Sequence, residues 1–290
     1  MWKIAIINDE LTHDFKKALD WMQAQGLRWV ELRSIDRRNI VDLTDEEMQA
    51  VKRELDARGL KTICIASPYL KCSLYAHPPA QRGDTFFSQA DDYEGHRQIL
   101  RRAIAAARIF GTNLIRVFSF WKEPGQTPEM WDLIAERLKE SAAVAEEEGV
   151  ILGLETEHAV NAATGKQVRD LIDRVGSPAL RAIWDPGNVV WAGENAIADY
   201  PNLRGQIVHV HLKDTFLTPE GRTQAAILGE GRVGYPKPLE LLKADGWEGC
   251  LSLEPHMGTI YEDEAQWAEG CRKCLVNLRG WLDELGVEYE

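Results

Sequence analysis

The chain has no apolar run near the ~18 residues that a membrane span requires, so no membrane partner is expected. Its first residues, "MWKIAIINDE", lack a basic segment followed by an apolar one. No secretory signal is therefore read, and the expected location is cytoplasmic. Positive charge is in short supply, with 34 lysines and arginines against 46 aspartates and glutamates and a formal net charge of -12. Proteins that bind nucleic acid gather a basic surplus, so nucleic acid is not the expected partner. Cysteines are few, odd in number at five, and scattered. Cys271 and Cys274 form "CRKC" within a helical pattern, and no second CxxC or histidine pair completes a zinc site. They are expected to be reduced helix cysteines. No glycine-rich phosphate cradle is evident, which favours an unphosphorylated small-molecule ligand. No Pro/Gly/Ser linker or shift in composition divides the sequence, so residues 1–290 are expected to form one domain.

What is present is a regular alternation. Short runs rich in Val, Ile and Leu occur at 2–7, 28–33, 61–67 and 114–120, and again at 150–156, 180–185, 206–212 and 249–254. Stretches with helical spacing lie between them. In 94–111, Ile99, Ala103, Ala106, Ala107 and Phe110 recur at threes and fours before Gly111. In 127–149, Thr127 caps, Pro128 starts the first turn and Gly149 stops it; in 43–59, Thr44 and Glu47 have the spacing of a capping box. Eight strands alternating with eight helical segments predict an α/β fold, a (β/α)8 TIM barrel, with a doubly wound open sheet as the alternative. The irregular stretch 68–93, after the third strand, exceeds ordinary loop lengths and reads as a lid or a packed excursion at the rim.

In such a barrel the active face lies at the carboxyl ends of the strands. The fifth strand ends in Glu155 ("GLETEH"), the sixth in Asp185 ("IWDPGN"), the seventh in His211 ("HVHLKD") and the eighth in Glu254 ("LSLEPH"). With side chains alternating along a strand, His209 and His211 share one face while Val208, Val210 and Leu212 share the other. Cys250, Ser252 and Glu254 align likewise, as do Ile151, Gly153 and Glu155. A single strand-end carboxylate commonly caps a helix or pairs with a cation. Three clustered together without a counter-charge would repel one another at a cost of several kcal/mol. Three carboxylates and one imidazole suit one divalent cation, Mn2+ first, with Mg2+, Co2+ or Zn2+ also compatible. Among ten tryptophans, Trp121 and Trp184 stand near strand ends and could wall a sugar ring.

These residues resemble a known family. "LGLETEH", "IWDPGN", "HVHLKD", "LGEGRVGYPKPLELLKADGWEGCLSLEPH" and the early "VELR" are similar to the xylose isomerase-like TIM-barrel superfamily, in its sugar isomerase/epimerase branch. The resemblance runs along nearly the whole chain. It implies metal ligation by Glu155, Asp185, His211 and Glu254, and proton exchange with substrate by Glu155 and Glu254. It places Glu31, Arg33, Arg116, His158 and Lys213 at polar positions on the pocket rim. Asn188 stands where many relatives carry a histidine that helps to bind the sugar, and "LKDTFL" lacks the arginine that ketose 3-epimerases carry there. "TPEGRTQAAILGEG" lacks the Asp-x-His pair of the apurinic endonuclease branch, which argues against a trinuclear zinc site.

The expected activity is that of a metal-dependent sugar isomerase or epimerase, acting by proton transfer beside a carbonyl through an enediolate. Two alternatives stand beside it: a lyase or dehydratase of the inosose or 3-keto-glycoside type, and a non-catalytic sugar-binding or accessory subunit. The expected partner is a small-molecule sugar, in a homodimer or homotetramer as family members often pair through rim helices.

Overall fold

A computed structural model describes residues 1–290. Eight parallel strands form the inner wall: β1 (Lys3–Ile6), β2 (Trp29–Leu32), β3 (Lys61–Ile65), β4 (Leu114–Val117), β5 (Ile151–Glu155), β6 (Leu180–Trp184), β7 (Ile207–Leu212) and β8 (Cys250–Leu253). They are hydrogen-bonded in the order β1-β8-β7-β6-β5-β4-β3-β2. A single backbone bridge, Ile7 to Glu31, joins the two ends, so the expected TIM barrel is the fold and the open sheet is not.

The outer layer is α1 (Phe15–Ala24), α2 (Asp45–Ala57), α3 (Tyr93–Phe110), α4 (Pro128–Glu148), α5 (Gly165–Val175), α6 (Pro186–Trp191), α7 (Lys237–Ala244) and α8 (Trp267–Leu285). Their ends are where the cap residues put them. Thr44 and Glu47 make a reciprocal capping box, and Thr127 accepts from the Met130 amide ahead of Pro128. Gly111 and Gly149 end their helices with φ of 74° and 69°, a left-handed geometry that costs a side-chain-bearing residue more. α6 is short: Asp185 caps it, and a further turn, Ala196–Asp199, completes the crossover to β7. Residues 68–92 form no helix or strand, as the sequence indicated. A hairpin of Asp214–Leu217 with Thr223–Ala226, which the sequence reading passed over, follows β7.

Strand alternation divides the interior in two. Val210, Leu212, Leu251, Leu253, Leu152 and Leu154 face the helices and join the main core. Inside the barrel, Cys64, Leu114 and Ile183 form a small apolar plug at its floor. A Cβ on Gly153 would lie 2.5 Å from Ile183 Cγ1, so the plug fills the space that a side chain at 153 would need. Val208, expected on the outer face with Val210, packs instead against the plug, because the β6–β7 register shifts between Ala182 and Ile183. Above the plug the inward positions turn polar: His209 is level with Cys250, and His211 with Ser252. Cys271 and Cys274 are buried, unpaired and helical, as expected of reduced core cysteines. No helix is long and apolar enough to cross a membrane.

Candidate metal and active site

β5, β6, β7 and β8 are consecutive neighbours, and their ends bring Glu155, Asp185, His211 and Glu254 together. One oxygen or nitrogen from each of the four lies within 4.8 Å of the others. All four residues are buried, at 0–1% exposure. Asp185 reaches this point as the cap of α6, accepting from the Asn188 amide at 2.9 Å through Oδ1, which leaves Oδ2 to face the cluster.

Beneath them sits Glu31. The resemblance implied a rim position, but the structure places it fully buried one layer down. It accepts from His209 Nε2 at 2.9 Å and from His211 Nε2 at 3.2 Å. That anchoring points His211 Nδ1 upward, 3.1 Å from Glu155 Oε1 and 3.2 Å from Glu254 Oε2. Burial alone would favour the neutral imidazole, but Glu31, Glu155 and Glu254 hold the His211 pKa well above its ordinary value. Burial also raises Glu31, yet the two histidines outweigh it and hold its carboxyl well below the usual range. The opening of "HVHLKD" is thus one device: a carboxylate below, two imidazoles sharing it, and one imidazole aimed at the cluster.

Cations surround the carboxylates. Arg33 donates to Asp9 at 2.8 Å, Glu10 at 2.6 Å and Glu254 Oε1 at 2.9 Å. Arg116 lies 3.1 Å from the same Glu254 oxygen and 3.4 Å from Glu155 Oε2. Lys213 Nζ is 2.9 Å from Asp185 Oδ2 and 3.3 Å from Glu254 Oε2. Asn188 links the set, donating through Nδ2 to Asp185 at 2.9 Å and Glu155 at 3.3 Å, and accepting through Oδ1 from Lys213 at 3.3 Å. His158, 20% exposed in its side chain, stacks on Trp191, hydrogen-bonds Asn188 Oδ1 through Nδ1 at 3.0 Å and holds that nitrogen 2.9 Å from Glu157 Oε1. Burial pushes Asp185 up to about 6, against the pull of Lys213. Burial acts the same way on Glu254, but Lys213 and His211 hold it well below its ordinary value.

Two buried carboxylate oxygens complete no hydrogen bond and have only ion-pair neighbours: Arg116 at 3.4 Å from Glu155 Oε2, and His211 Nδ1 and Lys213 at 3.2 and 3.3 Å from Glu254 Oε2. Unsatisfied buried oxygens of this kind are uncommon and expensive. The arginines occupy the other oxygen of Glu254. With His211 Nδ1 and Asp185 Oδ2, the donor set is three oxygens and one imidazole nitrogen, which fits a hard or borderline divalent cation and contains no thiolate.

Several residues at the mouth escaped the sequence reading. Phe86, from the 68–92 excursion, lays its ring over Arg33 at 4.1 Å, Lys71 at 4.7 Å and Arg116 at 5.4 Å. Asn39, fully buried, donates to the Phe86 carbonyl at 3.0 Å and holds the ring there. Phe86 and Phe87 both have positive φ, a strained conformation for bulky residues. Asp9 and Glu10, after β1, pair with Arg33, and Asn8 accepts from the Arg33 amide at 2.9 Å while donating to the Ser34 carbonyl at 2.5 Å. For Asn8, Asp9 and Glu10 the available signal was position, two to four residues after β1; Phe86 carried none. Trp184 does not wall the site but packs in the core against Tyr200. Beside Arg33 a cleft of about 410 Å³ opens, lined by Asp9, Glu10, His13, Phe86, His256 and Trp267 among others.

Asp214, the last residue of "HVHLKD", turns away from this chemistry. Its carboxylate accepts from the amides of Gly229 at 2.9 Å, Gly231 at 3.0 Å and Val233 at 3.1 Å. Gly231 has no room for a Cβ against that carboxylate. The "LGEGRVG" segment is therefore a loop wrapped around an aspartate of the "HVHLKD" motif.

Residues 19–277 match the family model described as "Xylose isomerase-like TIM barrel". Among curated proteins, an inosose dehydratase from Bacillus cereus (strain AH820) is 22% identical, over 96% of this chain and 95% of its own. Among solved structures, the IolI protein with a bound zinc atom superposes with a TM-score of 0.74 at 17% identity, covering 95% of this chain and 97% of that one. A 3-keto-D-glucoside 4-epimerase from E. coli gives 0.70 at 16% identity, covering 95% and 100%.

Proposed function

This chain belongs to the xylose isomerase-like TIM-barrel family, and from that premise we propose that it is a divalent-metal-dependent enzyme moving a proton on the carbon beside a keto-sugar carbonyl. The reading names it an isomerase or epimerase working through an enediolate. The observation that carries it is the four-residue cluster in which Glu155 and Glu254 each keep one buried oxygen free of hydrogen bonds. Glu155, Asp185, His211 and Glu254 would hold the cation, with Mn2+ the first candidate and Mg2+, Co2+ or Zn2+ alternatives. When bound, such a cation supplies Lewis-acid polarisation of the carbonyl and charge stabilisation as the enediolate forms.

The protein's own part is proton handling and orientation. Glu155 and Glu254 arrive from strands three steps apart in the sheet order, so they approach the pocket from different directions. One removes the proton, and the other returns it to the opposite face for epimerisation or to the adjacent carbon for isomerisation. Lys213 and His211 keep Glu254 ionised and able to accept a proton. Arg116, Lys213, Asn188 and His158 surround the cluster with donors for sugar hydroxyls, and Arg33 places a guanidinium between the cluster and the adjoining cleft. Phe86 covers the mouth and excludes water.

A second reading, elimination of water from the same enediolate, is favoured by similarity to inosose dehydratases along 96% of the chain. The test is incubation of the metal-loaded protein with ketoses, 3-keto-glucosides and inososes in heavy water, read by NMR. Exchange of a carbon-bound hydrogen is expected, and Glu254→Gln should abolish it while retaining sugar binding. A wild-type protein that binds sugar without exchange is an accessory binder, and undiminished exchange in Glu254→Gln removes that residue from the mechanism.

A further inference from the structure

We propose that Lys71 is a general acid of this site, giving its proton to a hydroxyl that leaves from the carbon β to the carbonyl and so directing the enolised sugar toward loss of water. The inference rests on the α-deprotonation proposed above. It concerns a residue outside the ligand cluster and the resemblance.

The two buried lysines at the mouth differ in kind. Lys213 is surrounded by oxygen, with Asp185, Glu254 and Asn188 all within 3.3 Å. Its ammonium is already engaged by two carboxylates and an amide oxygen. Lys71, 3% exposed, makes no hydrogen bond through Nζ, and its one ion-pair partner is Glu157 Oε2 at 3.5 Å. The rest of its surroundings is aromatic: Phe118 at 4.4 Å, Phe86 at 4.7 Å and Trp121 at 5.9 Å. Such a cage holds an ammonium in place without occupying its protons. A buried ammonium with unspent donors beside a cluster of reacting groups is built to give a proton away. Burial, helped by the charge of Arg116, lowers the Lys71 pKa below its ordinary value despite Glu157, Glu155 and Glu254, which makes it a readier donor.

Glu157 Oε1 lies 2.9 Å from His158 Nδ1, and His158 reaches the surface. Lys71, Glu157 and His158 thus lie in a line from the interior to the surface. Lys71 follows β3 while Glu254 ends β8, and Arg116, paired with both glutamates, shares the Phe86 and Phe118 rings with Lys71. In the step, a glutamate takes the α proton and the C–H electron pair becomes the enolate. Collapse of the enolate forms the Cα=Cβ bond as the Cβ–O bond breaks. The departing oxygen takes its proton from Lys71 and leaves as water. The lysine amine regains a proton from water as the product leaves, and the glutamate returns its own to solvent.

The experiment follows two readouts on the metal-loaded enzyme with an inosose and a 3-keto-glucoside: deuterium exchange beside the carbonyl, and appearance of the unsaturated product. Lys71→Met should depress elimination by about 100-fold or more while exchange stays readable. Lys71→Arg keeps the charge but cannot release a proton near neutral pH, so it should show the same split; it also decides the matter if the methionine variant does not fold. Wild-type elimination surviving in either variant overturns the proposal, as does a parallel fall in both readouts. A wild-type enzyme that exchanges hydrogen but never eliminates overturns the role of Lys71 and leaves the proton-transfer function standing. Absence of exchange in the wild type takes down both.

Discussion

His96, in the first turn of α3, is fully buried and fastens both ends of the 68–92 excursion. Its Nδ1 accepts from the Leu70 amide at 2.8 Å, and its Nε2 donates to the Ala90 carbonyl at 3.1 Å. These partners require the neutral ring, since a proton on Nδ1 would confront the Leu70 N–H. Burial pushes the pKa down to about 4, from 6.5, although the Ala90 carbonyl, Asp91 and Asp92 pull the other way. The unfolded chain binds the proton more readily, so this stabilisation is complete above pH 6.5 and is lost as pH falls toward 4. A difference from 6.5 to about 4 is worth on the order of 3 kcal/mol in full, and roughly 2 kcal/mol of it is already gone at pH 5. Leu70 precedes Lys71, and Ala90 lies four residues beyond Phe86, so acid should loosen the lid first. The assay is urea unfolding of wild type and His96→Phe between pH 7.5 and 4.5, with hydrogen exchange at the Leu70 amide as the local readout. The wild type should lose about 2 kcal/mol more than the variant by pH 5, with Leu70 protection falling in step. Parallel pH profiles, or a Leu70 amide that stays protected at pH 5, would refute the reasoning.

Two further changes probe the supports of the site. Glu31→Gln removes the charge that orients His211, and metal affinity should fall by about 10- to 100-fold in calorimetric titration; unchanged affinity would separate Glu31 from the metal. Asp214→Ala strands the amides of Gly229, Gly231 and Val233, and thermal unfolding should show a loss of about 1–3 kcal/mol for each amide left buried and unpaired. Equal melting temperatures would mean that the loop closes without its aspartate.

Much of the fold was legible because its signals are local. Thr44, Thr127, Gly111 and Gly149 mark helix ends through interactions within a turn. The candidate ligands could be listed because one rule, the last inward side chain of a strand, applies to Glu155, Asp185, His211 and Glu254 alike. What failed depended on distant pairing. Glu31 was assigned to the rim because its strand position does not reveal that two histidines 178 and 180 residues away will take both its oxygens. Val208 was misplaced by a register shift that no alternation of valines can reveal. Phe86 and Lys71 lie in an excursion without periodicity, so only the folded chain shows which cations share one ring.

Six joints of the cylinder are backbone ladders of three or four residue pairs, and the β3–β4 joint is the single pair Ile65 to Ile115, backed by Ser67 donating to the Arg116 carbonyl. The eighth, between β1 and β2, has one backbone bridge and is otherwise sewn by side chains: Asn8 to the Arg33 amide and Ser34 carbonyl, and Asp9 and Glu10 to the Arg33 guanidinium. That guanidinium also grips Glu254. The β1–β2 seam over the reacting groups is therefore held by charge rather than by a ladder, through two acids and an arginine. Salt and acid thus act first on the seam that borders the reacting groups, and only later on the rest of the wall.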